Sequence, residues 1–321
     1  MKKTLLATAI LTGLVSTAQA GVTVFKDDSS QVDLKGRIYA GYINQDNNDA
    51  DKSRGSSDAY FRLGLDGKSQ LTEDLKAIGK LEMQWAIADD DKQDTTRTRL
   101  AYAGVQSALG TVTFGRQYAT DEMVADWTDS AVSNVPGNDA LNEFGRESSV
   151  LKFENTYMDA LTVGAHMQLE NSYDADEKDD TDEKSGYGIG AVFATDLGLE
   201  LGATYGIETK GDIDTDTILL GAQYKIADLT AAVVYDITHK DKDEASHNAL
   251  ETSLAYGFGK ASVVGRYLQK DVDGKADYTV EQFTFGAAYK FNKNFRVVAE
   301  YVADQVKDQD DLYTFAARYD F

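Results

Sequence analysis

One rhythm constrains this chain more than any other feature: apolar and polar residues alternate with a period of two. Phe283, Phe285, Ala287, Tyr289 and Phe291 form one parity against Gln282, Thr284, Gly286, Ala288 and Lys290. The same split separates Leu161, Val163, Ala165, Met167 and Leu169 from Thr162, Gly164, His166, Gln168 and Glu170. Side chains two apart along a strand share a face, so each segment is a ribbon with one greasy and one hydrated side. No segment after residue 20 approaches 18 consecutive apolar residues, so no transmembrane helix is expected there. A membrane-spanning β-barrel leaves no such run, because its lipid-facing and inner residues alternate.

A soluble sandwich would alternate as well; the connections separate the two cases. Short turns fall at Ser69–Asp74, Ser107–Gly110, Asn155–Ala160, Thr195–Gly198, Ala227–Asp228, Gly257–Lys260 and Asn292–Asn294. Between them lie NQDNNDADKSRGSS, ADDDKQDT, an irregular segment over about 118–147, NSYDADEKDDTDEKSG, ETKGDIDTD, THKDKDEASHN, KDVDGKAD and DQVKDQDD. Tight turns on one rim and long polar loops on the other, in strict alternation, give fifteen connections and hence sixteen strands, an even number as bacterial outer-membrane barrels have. The expected fold is all-β: a 16-stranded antiparallel transmembrane β-barrel. Its single proline, Pro136, falls in the irregular segment and in no expected strand, where it would remove a ladder donor. Tyr205, Tyr224, Tyr235, Tyr256 and Tyr289 fit an aromatic girdle.

Residues 1–20, MKKTLLATAILTGLVSTAQA, carry two lysines, an apolar core and small residues at Ala18 and Ala20, the three-part pattern of a secretory signal peptide. The mature domain is expected to span 21–321. It contains no cysteine, so disulfides do not stabilise it. The whole chain carries a net charge of −22, and removing the two leader lysines leaves −24. Such acidity argues against a nucleic-acid partner, which needs a basic face.

Sixteen strands enclose a water-filled channel, where eight would be filled by side chains. The inner wall follows from the greasy parity. Phe61, Leu63 and Leu65 facing lipid turn Arg62, Asp66 and Lys68 inward; Leu34, Ile38 and Tyr42 turn Lys35 and Arg37 inward. Leu100 and Tyr102, read as outward, place Arg97 and Arg99 in the lumen. Leu151 and Phe153 do the same for Arg146, Ser148 and Lys152. Basic residues thus gather on neighbouring early strands.

The segments VDLKGR, YFRLGLDG, TRLAYAGV, GTVTFGRQY and NEFGRESSV, with the terminal YTFAARYDF, resemble the trimeric general diffusion porins of Gram-negative outer membranes across essentially the whole mature chain. The resemblance implies that the third loop, about 118–147, folds into the barrel and narrows it. It implies a constriction of basic wall residues Arg37, Arg62, Arg99 and Arg146, with Arg97 and Lys35 secondary, facing loop acids Asp129, Asp126, Asp139, Glu122 and Glu143. The usual Pro-Glu-Phe-Gly-Gly-Asp motif is replaced by Pro136-Gly137-Asn138-Asp139, with Glu143-Phe144-Gly145 displaced towards Arg146. It also implies a C-terminal assembly signal at Phe321 read by the barrel assembly machinery, contact with outer-membrane lipid and lipopolysaccharide, and a homotrimer. No cofactor or metal is expected.

The function so implied is passive diffusion of small hydrophilic solutes and ions in the outer membrane, and the net charge of −24 without the leader adds an expected weak cation preference; alternatives are a substrate-selective porin, or a surface adhesin or phage receptor on a barrel scaffold. An enzyme is disfavoured: His166, His239 and His247 accompany no nucleophile pattern such as G-x-S-x-G. The acidic run 174–183 lacks the glycine and glutamate spacing of an EF-hand loop, so it reads as a solvated loop.

Overall fold

The computed structural model describes residues 21–46, 54–87, 95–133, 140–141, 145–169, 184–242, 244–275, 277–307 and 309–321. The expected leader and the acidic run 174–183 lie outside the described residues. The strands are β1 (Val22–Lys26), β2 (Ser30–Asp46), β3 (Arg54–Gln70), β4 (Lys76–Ile87), β5 (Thr95–Ser107), β6 (Gly110–Tyr118), β7 (Arg146–Tyr157), β8 (Leu161–Gln168) and β9 (Lys184–Ala194). They continue with β10 (Leu199–Lys210), β11 (Ile213–Ile226), β12 (Leu229–Lys240), β13 (His247–Phe258), β14 (Ala261–Val272), β15 (Val280–Lys290), β16 (Phe295–Asp304) and β17 (Asp311–Asp320). One four-residue helix, α1 (Glu122–Ala125), sits between β6 and β7.

From β2 onward each strand pairs antiparallel with the next, and β17 pairs with β2, so sixteen strands close on themselves. Closure satisfies every ladder hydrogen bond internally, which hydrocarbon demands. The parity rule holds along β13, where His247, Ala249, Glu251, Ser253 and Ala255 are buried while Leu254, Tyr256 and Phe258 are exposed on the outer face. The five girdle tyrosines are likewise exposed.

The short β1 lies on the same edge of β2 that β17 occupies. Gly36 exchanges two backbone hydrogen bonds with Phe321, at 2.7 and 3.0 Å, and one step further down the ladder Val22 pairs with Leu34. β1 and the C-terminal residue therefore occupy adjacent positions along one edge of β2. Gly36 is small for a reason: an added Cβ would lie 2.0 Å from the Phe321 ring. Gly36→Val is expected to unseat that ring at a cost of about 1–3 kcal/mol, as overpacking does. The measurement is the fraction of heat-modifiable folded barrel on cold gels; a wild-type fraction would show that the ring is free to move.

Two expectations fail. The stretch ETKGDIDTD is not a long loop: β10 runs to Lys210 and β11 starts at Ile213, leaving a two-residue turn with Gly211 at φ +57°. A glycine in that region matches the twist of two-residue hairpins. The ladder extends there because polar side chains pair across it: Thr209 donates to Asp214 (2.7 Å) and Tyr205 to Asp216 (2.7 Å). The second failure is in β5. Glu82 pairs with Leu100 but Met83 pairs with Thr98, so Arg99 is an extra residue and the alternation resets. Tyr102 pairs with Lys80, itself opposite Asp66, which puts Tyr102 on the lumen side with them. Leu100 is 7% exposed rather than lipid-facing.

Candidate constriction site

The irregular segment carries a helical rhythm that the period-two reading overlooked. In DEMVADWTD, Val124, Trp127 and Thr128 are spaced for one side of a helical turn and Glu122, Asp126 and Asp129 for the other. The backbone turns accordingly: the amides of Val124 and Trp127 donate to the carbonyls of Asp121 (2.9 Å) and Val124 (3.1 Å). Val124, Trp127 and Thr128 are buried, whereas Asp126 and Asp129 are exposed.

What buries the apolar side is the inner wall of the barrel. Val124, Ala125, Trp127, Ala140 and Leu141 pack against Leu219 (β11), Ala232 and Val234 (β12), Ala249 (β13) and Leu268 (β14). Missing side chains make the room. A Cβ on Gly202 would stand 2.7 Å from both Trp127 and Val124, and one on Gly221 would stand 2.6 Å from Val124. Gly164 would meet Met123 at 2.7 Å, and Gly286 would meet Val132 at 2.6 Å. The described part of the segment is therefore folded inside the barrel and lies along the wall from β8 round to β16.

Polar anchors fix it at intervals. Thr120 donates its amide to His166 Nδ1 at 3.1 Å. Glu251 accepts from Thr128 Oγ1 (2.9 Å) and the Ala140 amide (2.6 Å), and it pairs with Arg266 at 3.2 Å. Ser130 bonds Ser253, and Glu300 accepts from the Val132 amide (2.8 Å) and from the Ser133 hydroxyl. At the neck, the Ala119 amide donates to the Gly145 carbonyl at 3.0 Å. Glu251, Glu300, Trp127 and the wall glycines went unnoticed in the sequence. One signal was available: in TILLGA and AAVVYD both parities are apolar, which a wet lumen does not explain.

The basic wall assembles on β2–β7. Arg37 stands directly across from Arg62, and Gln84 across from both Arg62 and Arg97. Arg62 donates to Gln84 at 3.2 and 2.7 Å, with Glu82 at 3.8 Å. Arg99 donates to Glu82 at 2.6 Å. Lys35 is held by Asp66, which Lys80 also approaches at 3.6 Å. Two arginines join the group unforeseen: Arg318 and Arg296 approach Asp320 at 2.9 and 3.5 Å, and Arg37 donates to that carboxylate at 2.9 Å. Tyr39 and Tyr60 stack in the lumen, centroids 5.0 Å apart, with the Arg62 guanidinium 5.2 Å from the Tyr60 ring. Arg146 donates to Tyr118 Oη at 2.6 Å.

Of the five acidic candidates, Glu122, Asp126 and Asp129 are described, and the last two open on the bore; Asp139 and Glu143 lie outside the described residues, as does Pro136. Asp126 is surrounded by barrel atoms although its side chain reaches the water of the bore. That enclosure pushes its carboxyl above the ordinary aspartate range, a hydrogen bond with Glu122 opposes the rise, and neighbouring Asp129 adds to it. Contact with water in the bore limits the shift.

A long loop pinned inside a closed sixteen-stranded barrel, with guanidinium groups across the gap, is the architecture of a channel narrowed from within. A family profile for Gram-negative porins matches residues 6–309.

The chain belongs to the Gram-negative porin family.

Porin-like protein L of Photobacterium profundum is 29% identical, and the match covers 100% of both chains. Among solved structures, Salmonella typhi OmpF superposes with a TM-score of 0.81 at 20% identity, covering 92% of this porin and 99% of that chain. OmpT of Vibrio cholerae in its trimer form gives 0.72 at 18% identity, covering 92% of this porin and 100% of OmpT. This porin is an outer-membrane β-barrel channel for passive diffusion, and its family is not enzymatic.

Proposed function

We propose that this porin is a weakly cation-selective sieve for small hydrophilic solutes, throttled between Arg37, Arg62, Arg99 and Arg146 on the wall and Asp126, Asp129 and Glu122 on the loop, with Arg97 and Lys35 secondary. The observation that carries this reading is the exposure of Asp126 and Asp129 towards the bore while their neighbours are buried against the wall. Facing charges of opposite sign order water across the gap. A solute lacking dipoles must displace that water without replacing its hydrogen bonds. Several arginines share carboxylates, Arg62 and Arg99 with Glu82 and Arg37 with Asp320, so part of the wall charge is already compensated. Acidic groups in a pore favour cations.

A planar bilayer under a salt gradient tests this: a reversal potential of anion-selective sign defeats it. Asp129→Ala is expected to shift selectivity towards anions, and no shift removes Asp129 from the constriction. The raised Asp126 carboxyl adds a pH dependence. Acidification neutralises it before an ordinary aspartate, so cation preference is expected to start falling above the ordinary aspartate range. A reversal potential constant down to that range would place Asp126 outside the ion path.

The same reading takes 1–20 as a cleaved leader, Phe321 as the assembly signal, lipopolysaccharide as a neighbour, and a homotrimer as the assembled state. A trimer finds support in the OmpT trimer form and in small outward residues on adjoining strands, Ala40, Ala59 and Ala317. Three equal closing steps in a conductance trace are expected; single steps only would refute the trimer.

A further inference from the structure

Arg146 differs from the other constriction arginines in how it is held. Arg37, Arg62 and Arg99 each have a carboxylate within 4 Å. Among the described residues Arg146 has none: its Nη1 donates to Tyr118 Oη at 2.6 Å, and its guanidinium carbon lies 5.0 Å from the centroid of that ring. Tyr118 and Arg146 are paired in register as the last residue of β6 and the first of β7, so they form the two sides of the neck from which the loop enters the bore. The phenol lies within electrostatic reach of both camps, Glu122 and Asp126 on the loop and Arg146 and Arg99 on the wall. Arg146 is in turn within reach of Asp126.

We propose that Tyr118 is a positioning residue that sets ion preference by holding Arg146 back from the loop carboxylates. The inference rests on the diffusion-channel reading above. A neutral hydroxyl satisfies a guanidinium donor without cancelling its charge, and the ring face adds a cation–π attraction. Arg146 is thereby anchored by a neutral group that draws no charge from Asp126 or Glu122. Without the hydroxyl, the guanidinium finds its best acceptor in those carboxylates, because an anionic acceptor adds the attraction of opposite charges and can take two parallel N–H bonds. That pairing removes one positive and one negative charge from the bore. The wall retains Arg37, Arg62, Arg97 and Arg99, whereas of the described loop acids only Asp126 and Asp129 open on the bore, so the loop loses the larger share.

Tyr118→Phe and Arg146→Gln should therefore move selectivity in opposite directions. Under a potassium chloride gradient, Tyr118→Phe is expected to lower the cation-to-anion permeability ratio by about 1.5-fold to twofold, and Arg146→Gln to raise it. In the Arg146→Gln background, Tyr118→Phe should change nothing, since the residue it restrains is gone. A structural role for the phenol would not reverse sign between the two variants or vanish in the double variant. An unchanged ratio in Tyr118→Phe, or an equal shift in both backgrounds, overturns the proposal while the wild-type current upholds the channel. A wild-type protein that passes no current overturns the channel reading itself.

Discussion

Trp127→Ala will leave the barrel folded and make its channel noisier and more conductive. The indole is 6% exposed and lies against the wall at Gly202 and Gly221, with Val124 beside it. Truncating a buried tryptophan costs about 3–5 kcal/mol. Here that loss falls on the docking of the loop, since no ladder hydrogen bond of the barrel depends on Trp127. Thr128, Ser130, Val132 and Ser133 remain tied to Glu251, Ser253 and Glu300, so the loop is expected to loosen rather than leave. Single-channel recording should show larger conductance and more open-state noise, with strand content by circular dichroism unchanged. The reverse experiment sharpens the test. Gly221→Val places new atoms where Val124 and Trp127 pack, pushes the loop into the bore and should lower conductance; combined with Trp127→Ala, the vacated space should take the valine and restore much of it. Wild-type conductance in both single variants would show that the loop is placed by its polar anchors alone.

Glu251→Ala will be the most destabilising single change on the lumen side. Glu251 and Arg266 are almost fully buried, 3.2 Å apart, and Glu251 also takes hydrogen bonds from Thr128 and the Ala140 amide. Removing one partner of a buried ion pair costs about 3–5 kcal/mol, because the other charge loses its compensation in a dry site. Folded yield and melting temperature should fall, and the loop should lose two anchors together. Replacing both members with leucine separates the two effects: a buried pair exchanged for apolar groups is often close to neutral in stability. The double variant is expected to recover the melting temperature but to keep a noisy channel, because the acceptor for Thr128 and Ala140 is still missing. Recovery of both properties would mean that Glu251 serves the barrel and not the loop.

The barrel was legible because its cause is local and repeated. Alternation along each strand, such as Phe283 to Phe291, states which face meets lipid, and the spacing of turns states how many strands there are. Arg37 and Arg62 are register partners on the parity opposite the exposed Ile38 and Leu65. Parity misleads where the period is broken by one residue: the extra residue at Arg99 turns Tyr102 and Leu100 to the lumen side, and no sequence pattern announces which residue in a strand is the bulge. Polarity misleads again at 208–216, where it suggests a loop although Thr209, Asp214 and Asp216 support a ladder beyond the lipid.

The sequence by itself determined the sheet, its closure, the greasy outer face and the presence of one long interruption rich in acids. Tertiary structure decided where that interruption goes. Its position depends on contacts between residues more than a hundred positions apart, Thr128 with Glu251 and Val132 with Glu300, and on wall glycines whose purpose is visible only when Val124 and Trp127 are seated over them. Strand pattern is set by neighbours two residues away and can be read along the chain. The fit of a loop to a curved inner surface is a matching of shapes and hydrogen-bonding groups that exists only once the barrel has closed.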